Sequence, residues 1–408
     1  VVSAGSEIVV VGIGADGWPG LGEGARQAVR TADAVVGSSR QLELLPEDVG
    51  APKRAWPSPM EPLIEELVTR STGTTCVLAS GDPMLHGIGA SLVRRAGARR
   101  VRVHPHPSAF AIACARLGWP SAEVELVSAV AREPEVVVRA LQPGRRIVAY
   151  VTGAGGAATL SRVLSERGFG RSRFVVLEQL GGAAERILET TAAGWGSREA
   201  DPLHAVAIEV VAGPGAAAYA RVPGLPDAAY ASDGQLTKRH VRAVTLAALA
   251  PGPGELLWDV GAGSGSIAIE WLRAEPTARA TALEAREDRA ARISANALDL
   301  GVPGLDVRIG RAPAALEDLP TPDAIFIGGG ITTPGLLAGC WAALGTGGRI
   351  VANTVTLEGE QAVAAARAVH GGTLTRIEIS HAEPVGGFTG WRAQMPVVQW
   401  SAIKGVGG

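Results

Sequence analysis

Charge of one sign is what this chain most lacks. Lys and Arg total 38 against 40 Asp and Glu, for a formal net charge of -2, and charged residues make up only 19% of the 408 positions. A polyanion would need a basic stripe to bind, and no such stripe is visible, so a nucleic-acid partner is not expected. Long hydrophobic runs are also missing. The first apolar stretch, Ile8-Val9-Val10-Val11, has the length of a strand, and no basic segment leads into it. Neither a signal peptide nor a membrane span is expected, and the expected setting is the cytoplasm. Cysteine is scarce. Cys76, Cys114 and Cys340 lie far apart and form no C-x-x-C pair, which excludes a disulfide scaffold and points to reduced thiols used as small core residues.

Apolar residues, by contrast, make up 47% of the chain, ample for more than one core, and the length predicts two or three domains. Short apolar runs alternate with amphipathic stretches. Strands are predicted at Glu7–Ile13, Ala34–Gly37, Thr74–Ala79, Val101–His104, Arg146–Thr152, Arg173–Leu177 and Leu203–Val211, with helices such as Gly22–Arg30 and Ala109–Leu117 between them. The pattern breaks in the Gly-, Pro- and Ala-rich stretch 213–226 and then resumes. Helix Leu236–Leu249 is followed by strands Glu255–Val260, Ala280–Glu284, Asp306–Ile309, Ala324–Ile327 and Arg349–Thr354. Such alternation predicts α/β architecture with parallel sheets in both halves, residues 1–212 and 227–408, joined by a linker at 213–226. The halves share no alignable repeat and read as two different folds.

The second half carries the sharper signal. Strand Glu255–Val260 runs into Asp259-Val260-Gly261-Ala262-Gly263-Ser264-Gly265-Ser266, and a helix follows. Glycines there let a ligand approach the backbone, and the helix start offers free N–H groups. The next strand ends in Glu284, where a carboxylate can accept ribose hydroxyls. A dinucleotide site usually has a third small residue where Ser266 stands. Asp259 would repel a pyrophosphate but suits an ammonium group. S-adenosylmethionine has an ammonium, a sulfonium and no phosphate, so it fits this loop better than NAD.

This pattern resembles the class I methyltransferases. The resemblance implies that Gly328-Gly329-Gly330, after strand Ala324–Ile327, bring substrate to the methyl group, and that Ala312 lies where adenine is gripped. Relatives often have an acid in place of Arg311. Asp323 reads as structural. The strings Asp233-Gly234-Gln235-Leu236-Thr237-Lys238-Arg239 and His381 through Arg392 resemble the decarboxylating precorrin methyltransferase domain of corrin biosynthesis. By that resemblance Gln235 and Thr237 close over the cofactor. Gly261, Gly263, Ser264, Gly265 and Glu284 cradle it. Trp391 and Arg392 suit a flat, carboxylate-rich macrocycle, while His381 and Arg392 are the candidates for handling the carboxylate that is lost.

In the first half, Gly12-Ile13-Gly14-Ala15-Asp16-Gly17 ends the first strand. Ser80-Gly81-Asp82-Pro83-Met84-Leu85-His86-Gly87-Ile88-Gly89 follows strand Thr74–Ala79, and Pro107-Ser108 follows Val101–His104. These motifs in this order resemble the tetrapyrrole methylase family, whose fold holds S-adenosylmethionine between two α/β subdomains. Gly81, Asp82, Leu85, Gly87 and Ser108 are the cofactor residues the resemblance implies, with His86 a wall of the pocket. Many relatives have proline where Ala15 stands. His104 and His106 sit in an H-x-H interleaved with proline, and no metal site is expected there.

Together the resemblances imply a fusion that methylates two ring carbons, 5 and 15, of a tetrapyrrole and decarboxylates an acetate on carbon 12. One cofactor site in each half and a homo-oligomer are implied. Three other readings have testable signatures: an RNA methyltransferase, an NAD(P)-dependent oxidoreductase and a cofactor sensor without catalysis. They predict, respectively, RNA retention on a filter, enhanced NAD(P)H fluorescence and no methyl transfer to a tetrapyrrole acid.

Overall fold

The computed structural model describes residues 7–70 and 73–405. The chain divides into two compact units. One runs to Pro134 and resumes at Pro143–Ala217; the other comprises Glu135–Gln142 and the chain from Ala218 onward. The expected first domain therefore lends a short internal segment to the second unit. The stretch 213–226 is tied down at both ends rather than free. Gly213 donates its N–H to the carbonyl of Gly168 at 2.8 Å, while Gly224 and Leu225 donate to the Glu270 carboxylate at 2.5 and 3.0 Å.

In the first unit, β1 (Glu7–Ile13), β2 (Ala34–Gly37), β3 (Lys53–Ala55), β4 (Thr74–Ser80) and β5 (Val101–His104) form a parallel sheet in the order β3-β2-β4-β1-β5. Val9, Val11 and Ile13 pack into one core with Val29 and Leu45, and Ile8 and Val10 into another with Leu63, Leu67 and Leu92. Burial on both faces is why β1 reads as an unbroken apolar run.

A second sheet holds β6 (Val124–Ser128), β7 (Arg146–Tyr150), β8 (Arg173–Glu178), β9 (Arg186–Thr191) and β10 (His204–Glu209) in the order β6-β7-β10-β8-β9. Only β6 and β7 run parallel; the other pairs are antiparallel. This corrects the expectation of parallel sheets throughout. The turn 179–185 between β8 and β9 is too short for a crossover helix, so β9 must fold back. β9 is also almost wholly exposed, so it lacks the apolar signature of a strand.

The second unit is built on one sheet of seven strands: β11 (Leu256–Val260), β12 (Arg279–Glu284), β13 (Asp306–Ile309), β14 (Ala324–Ile327), β15 (Arg349–Thr354), β16 (Thr373–Ile377) and, after an excursion, β19 (Val397–Ile403). The excursion is a separate hairpin, β17 (Ser380–Val385) with β18 (Phe388–Ala393). The sheet order is β13-β12-β11-β14-β15-β19-β16, with the first five parallel and β19 antiparallel to both neighbours. Strand order reverses between β11 and β14, and the carboxyl ends at such a switch point are the usual ligand position in sheets of this kind. Three buried tryptophans fix the core, each donating its indole N–H to a backbone carbonyl: Trp258 to Pro320, Trp271 to Arg279 and Trp400 to Gly371. The helix expected at Leu236–Leu249 starts later, at Arg239. Cys76, Cys114 and Cys340 are all buried free thiols, and burial pushes Cys76 and Cys340 up to about 12. Among the described residues no helix is long and apolar enough to cross a membrane.

Candidate functional site

In the first unit, a cavity of about 440 Å³ opens between the two sheets, at the lower end of the range for small-molecule sites. Gly81, Asp82, Leu85, Gly87 and Ser108 all line it, as does His86. The backbone explains their chemistry. Gly81 donates its N–H to the Ile13 carbonyl at 3.0 Å with φ +58°, and a Cβ on Gly12 would lie 2.2 Å from the Gly81 carbonyl. The end of β1 and the loop after β4 therefore touch, and only glycine fits. Asp82 accepts the N–H of Met84 at 2.8 Å and so shapes the turn. Ser108 caps helix Ala109–Leu117, accepting from Ala111 at 3.1 Å. His86 adopts φ +55° and meets the Tyr150 ring edge-on. Burial lowers the His86 pKa and raises that of Tyr150, whose hydroxyl accepts the Phe110 N–H at 2.9 Å.

Three further cavity residues carried no recognisable sequence signal. Arg40 and Gln41 reach the Ser80 hydroxyl at 3.3 and 3.1 Å, and His204 lies at the start of β10. Burial lowers the Arg40 pKa. A wider hollow of about 880 Å³, lined by Arg171, Arg173 and Glu189 among others, includes none of the expected residues.

Gly87 offers a direct check. A Cβ there would fall 2.5 Å from the Pro83 carbonyl oxygen and 2.9 Å from its carbon. The Gly87→Ala loop must shift, at a cost of about 1–3 kcal/mol. If S-adenosylmethionine binds in this cavity, calorimetric titration of the variant with S-adenosylhomocysteine should show one site weakened about tenfold or more.

In the second unit the glycine turn sits at the switch point. Gly261, Gly263 and Gly265 have φ of +72°, +61° and +74°. A Cβ on Gly261 would lie 3.0 Å from the Gly329 nitrogen, so the turns after β11 and β14 are in contact. Gly328 donates to the Val260 carbonyl at 3.0 Å, and Gly330 has φ +74°. Glu284, at the end of β12, accepts from Gly263 and Arg286 at 3.0 and 3.1 Å, which places its carboxylate beside the loop. Gly310 hangs from the Glu284 carbonyl at 2.9 Å. Ala312 packs against the core beyond it, while Arg311 is exposed.

Gln235 is held over this turn. Ser264 donates its hydroxyl to the Gln235 carbonyl at 2.8 Å, and that oxygen would lie 3.0 Å from a Cβ on Gly263. Residues that sequence reasoning missed clamp the segment. Asn296 donates to the Ser264 and Ala231 carbonyls and accepts from Ala231. Arg289 binds Asp233 at 2.8 Å and holds its carboxyl well below the usual range. The Thr237 carbonyl accepts from Arg242, and the helix that follows is capped at Lys238. Asp323 accepts the Leu256 N–H at 2.8 Å, a structural bond.

Asp259 lies near the end of β11, just before the glycine turn. One of its oxygens accepts the Ala268 N–H at 3.1 Å; the other is buried with no partner. Burial, reinforced by the Glu284 charge and partly offset by that N–H, pushes the carboxyl up to about 7. A cationic ammonium would satisfy the bare oxygen, and the side-chain-free turn leaves backbone for a nucleoside to lie against. Both features fit S-adenosylmethionine.

His381 and Arg392 face each other across the β17–β18 hairpin, where Arg392 pairs with Glu383 at 3.1 Å. The His381 ring lies 5.5 Å from His240, on the helix that follows Thr237. Trp391 and Phe388 are 80% and 85% exposed, so neither is a core residue. Among the described residues, no three His, Cys, Asp or Glu side chains cluster as a metal site would require.

Two α/β units, one with a cavity between its two sheets and the other with a bare buried carboxylate beside a glycine turn, define an S-adenosylmethionine-dependent methyltransferase. Residues 7–196 match the family described as tetrapyrrole (corrin/porphyrin) methylases, and residues 228–404 match the precorrin methyltransferase domain. The chain is 46% identical to the Sinorhizobium precorrin-6Y C(5,15)-methyltransferase [decarboxylating], over 98% of this chain and 96% of that protein. It is 33% identical, over 44% of its length, to the Salmonella typhimurium cobalt-precorrin-7 C(5)-methyltransferase, 88% of which is covered. It is also 33% identical, over 43% of its length, to a Pyrobaculum calidifontis protein named "Probable cobalt-precorrin-6B C(15)-methyltransferase (decarboxylating)", 93% of which is covered. The chain belongs to the decarboxylating precorrin-6Y C(5,15)-methyltransferase family.

Proposed function

We propose that this protein methylates precorrin-6B at carbons 5 and 15 and removes carbon dioxide from the acetate on carbon 12, giving precorrin-8X. The observation that carries this reading is the order of two unlike methyltransferase units in one chain. The first unit serves carbon 5; the second serves carbon 15 and the decarboxylation. Relatives named for carbon 5 alone, and for carbon 15 with decarboxylation, each span less than half of this chain, which supports two separable chemistries.

S-adenosylmethionine supplies an activated methyl group, and the reduced ring supplies an enamine-like carbon that is already nucleophilic. The protein's task is to align the two and exclude water. In the first unit Gly81, Asp82, Leu85, Gly87 and Ser108 hold the cofactor. In the second, Gly261, Gly263, Ser264, Gly265, Glu284 and Ala312 do so, with Asp259 on the ammonium and Gln235 and Thr237 closing the site. Gly328, Gly329 and Gly330 bring the ring to the methyl group, Trp391 stacks on it, and Arg392 with His381 handles the carboxylate that leaves. The chain works in the cytoplasm as a homo-oligomer, without nucleic acid.

Calorimetry with S-adenosylhomocysteine should find two sites per chain, and a labelled methyl should appear on both ring carbons. A single site, or label on one carbon only, overturns the two-site reading.

A further inference from the structure

We infer that His204 is the proton acceptor for methyl transfer in the first unit's cavity. This rests on the reading that a ring methine carbon is methylated there. That carbon bears a hydrogen. When its enamine electron pair bonds to the methyl carbon, the methyl–sulfur bond breaks and its pair stays on sulfur. The ring is left cationic, and conjugation returns only when the hydrogen leaves as a proton. A base within the cavity completes the balance.

His204 is built for that role. It lines the cavity from the first residue of β10. Its Nδ1 lies 2.6 Å from the Asp201 carbonyl oxygen. A carbonyl only accepts, so Nδ1 carries the hydrogen and Nε2 presents a lone pair. Nε2 is buried and has no hydrogen-bond partner. The loop that aims the ring is itself fixed: Asp201 donates its N–H to Glu178 at 2.8 Å and accepts from Gln179 and Leu203 at 2.8 and 2.7 Å. The charged and titratable groups around the imidazole are Asp201, Glu178 with its partner Arg186, Tyr150 on the neighbouring strand, and Arg40, which acts on Asp201. Burial outweighs the Asp201 carbonyl and the two carboxylates and lowers the His204 pKa, which favours the neutral ring. The other cavity groups are less suited. Tyr150 stays a phenol, Asp82 already accepts a backbone N–H, and His86 is exposed.

The test uses the full chain with His204→Gln and His204→Ala, precorrin-6B and a carbon-13 methyl donor, in single turnover. Methylation of carbon 5 should fall roughly a hundredfold, while methylation of carbon 15 and carbon dioxide release stay within about twofold of the parent. S-adenosylhomocysteine should still bind both sites. The parent's carbon-5 rate should fall on acidification as Nε2 protonates, and the variants should lose that limb. Nitrogen-15 spectra of the histidines should contain one neutral ring protonated on Nδ1 that vanishes in His204→Gln.

A carbon-5 rate within about threefold of the parent overturns the proposal. So does loss of S-adenosylhomocysteine from the first unit, which would make His204 a cofactor contact. A parent protein that puts no methyl on carbon 5 defeats the functional reading itself, a separate outcome.

Discussion

Asp259→Asn should stabilise the ligand-free protein above pH 7 while weakening S-adenosylhomocysteine binding in the second unit. The native carboxyl is fully buried, has one oxygen without a partner, and titrates near 7 instead of 3.8. Because the folded pKa lies above the unfolded one, this group's contribution is most favourable below about pH 4. It is lost as pH rises, levelling off above 7. Replacing the carboxylate with a neutral amide of the same shape removes up to about 4 kcal/mol of strain at pH 8 and almost none at pH 4. On the function proposed above, the same charge attracts the ammonium of the bound nucleoside. Affinity in this unit should drop about tenfold or more in the variant, and in the parent it should decline as pH falls below 7. Thermal melts of both proteins across that range, with calorimetry beside them, check the expectation. Parallel melting curves at every pH would refute it.

Arg242→Met should unfold the second unit more easily by about 3–5 kcal/mol. The Arg242 guanidinium is wholly buried. It donates to Glu270 at 2.6 Å, to Asp227 at 3.3 Å and to the carbonyls of Leu225 and Thr237, and it lies 4.8 Å over the Tyr230 ring. Removing it strands the Glu270 charge and frees the end of the segment that covers the glycine turn. A partner deletion does not repair the damage here. Glu270 also accepts from Gly224, Leu225 and the Tyr230 hydroxyl, so Arg242→Met with Glu270→Leu leaves three donors unpaired. Urea titration followed by amide hydrogen exchange of strands β11, β12 and β14 reads this unit. A double variant as stable as the parent would show that the ion pair, not the backbone anchoring, carries the effect.

Periodicity located many of the strands because their signal is local, although it gave no expectation for buried β19 or half-buried β6. β1, β2, β5, β13, β14 and β15 lie where their apolar runs predicted. Exposed β9 and the hairpin strands β17 and β18 escaped, since half-wet strands with Glu, Thr and Arg lack that contrast. The mixed direction of the second sheet depends on how strands pair, which no single run encodes. The glycine and GDP loops were legible because close backbone approach demands glycine. His204, Asn296 and the Arg242–Glu270 pair were not. Each acts through a partner distant in sequence, and a lone polar residue in an apolar stretch gives no hint of which carbonyl or carboxylate it will meet.

The three left-handed glycines of the turn after β11 also shape how the gene can change. Each is a GGN codon, and every missense change at a single base installs a side chain on backbone that disfavours one. Asparagine, the substitute best able to adopt that conformation, lies two bases away. The loop is therefore an isolated point in mutational space, and drift around it must proceed through the residues that hold it rather than through the loop itself.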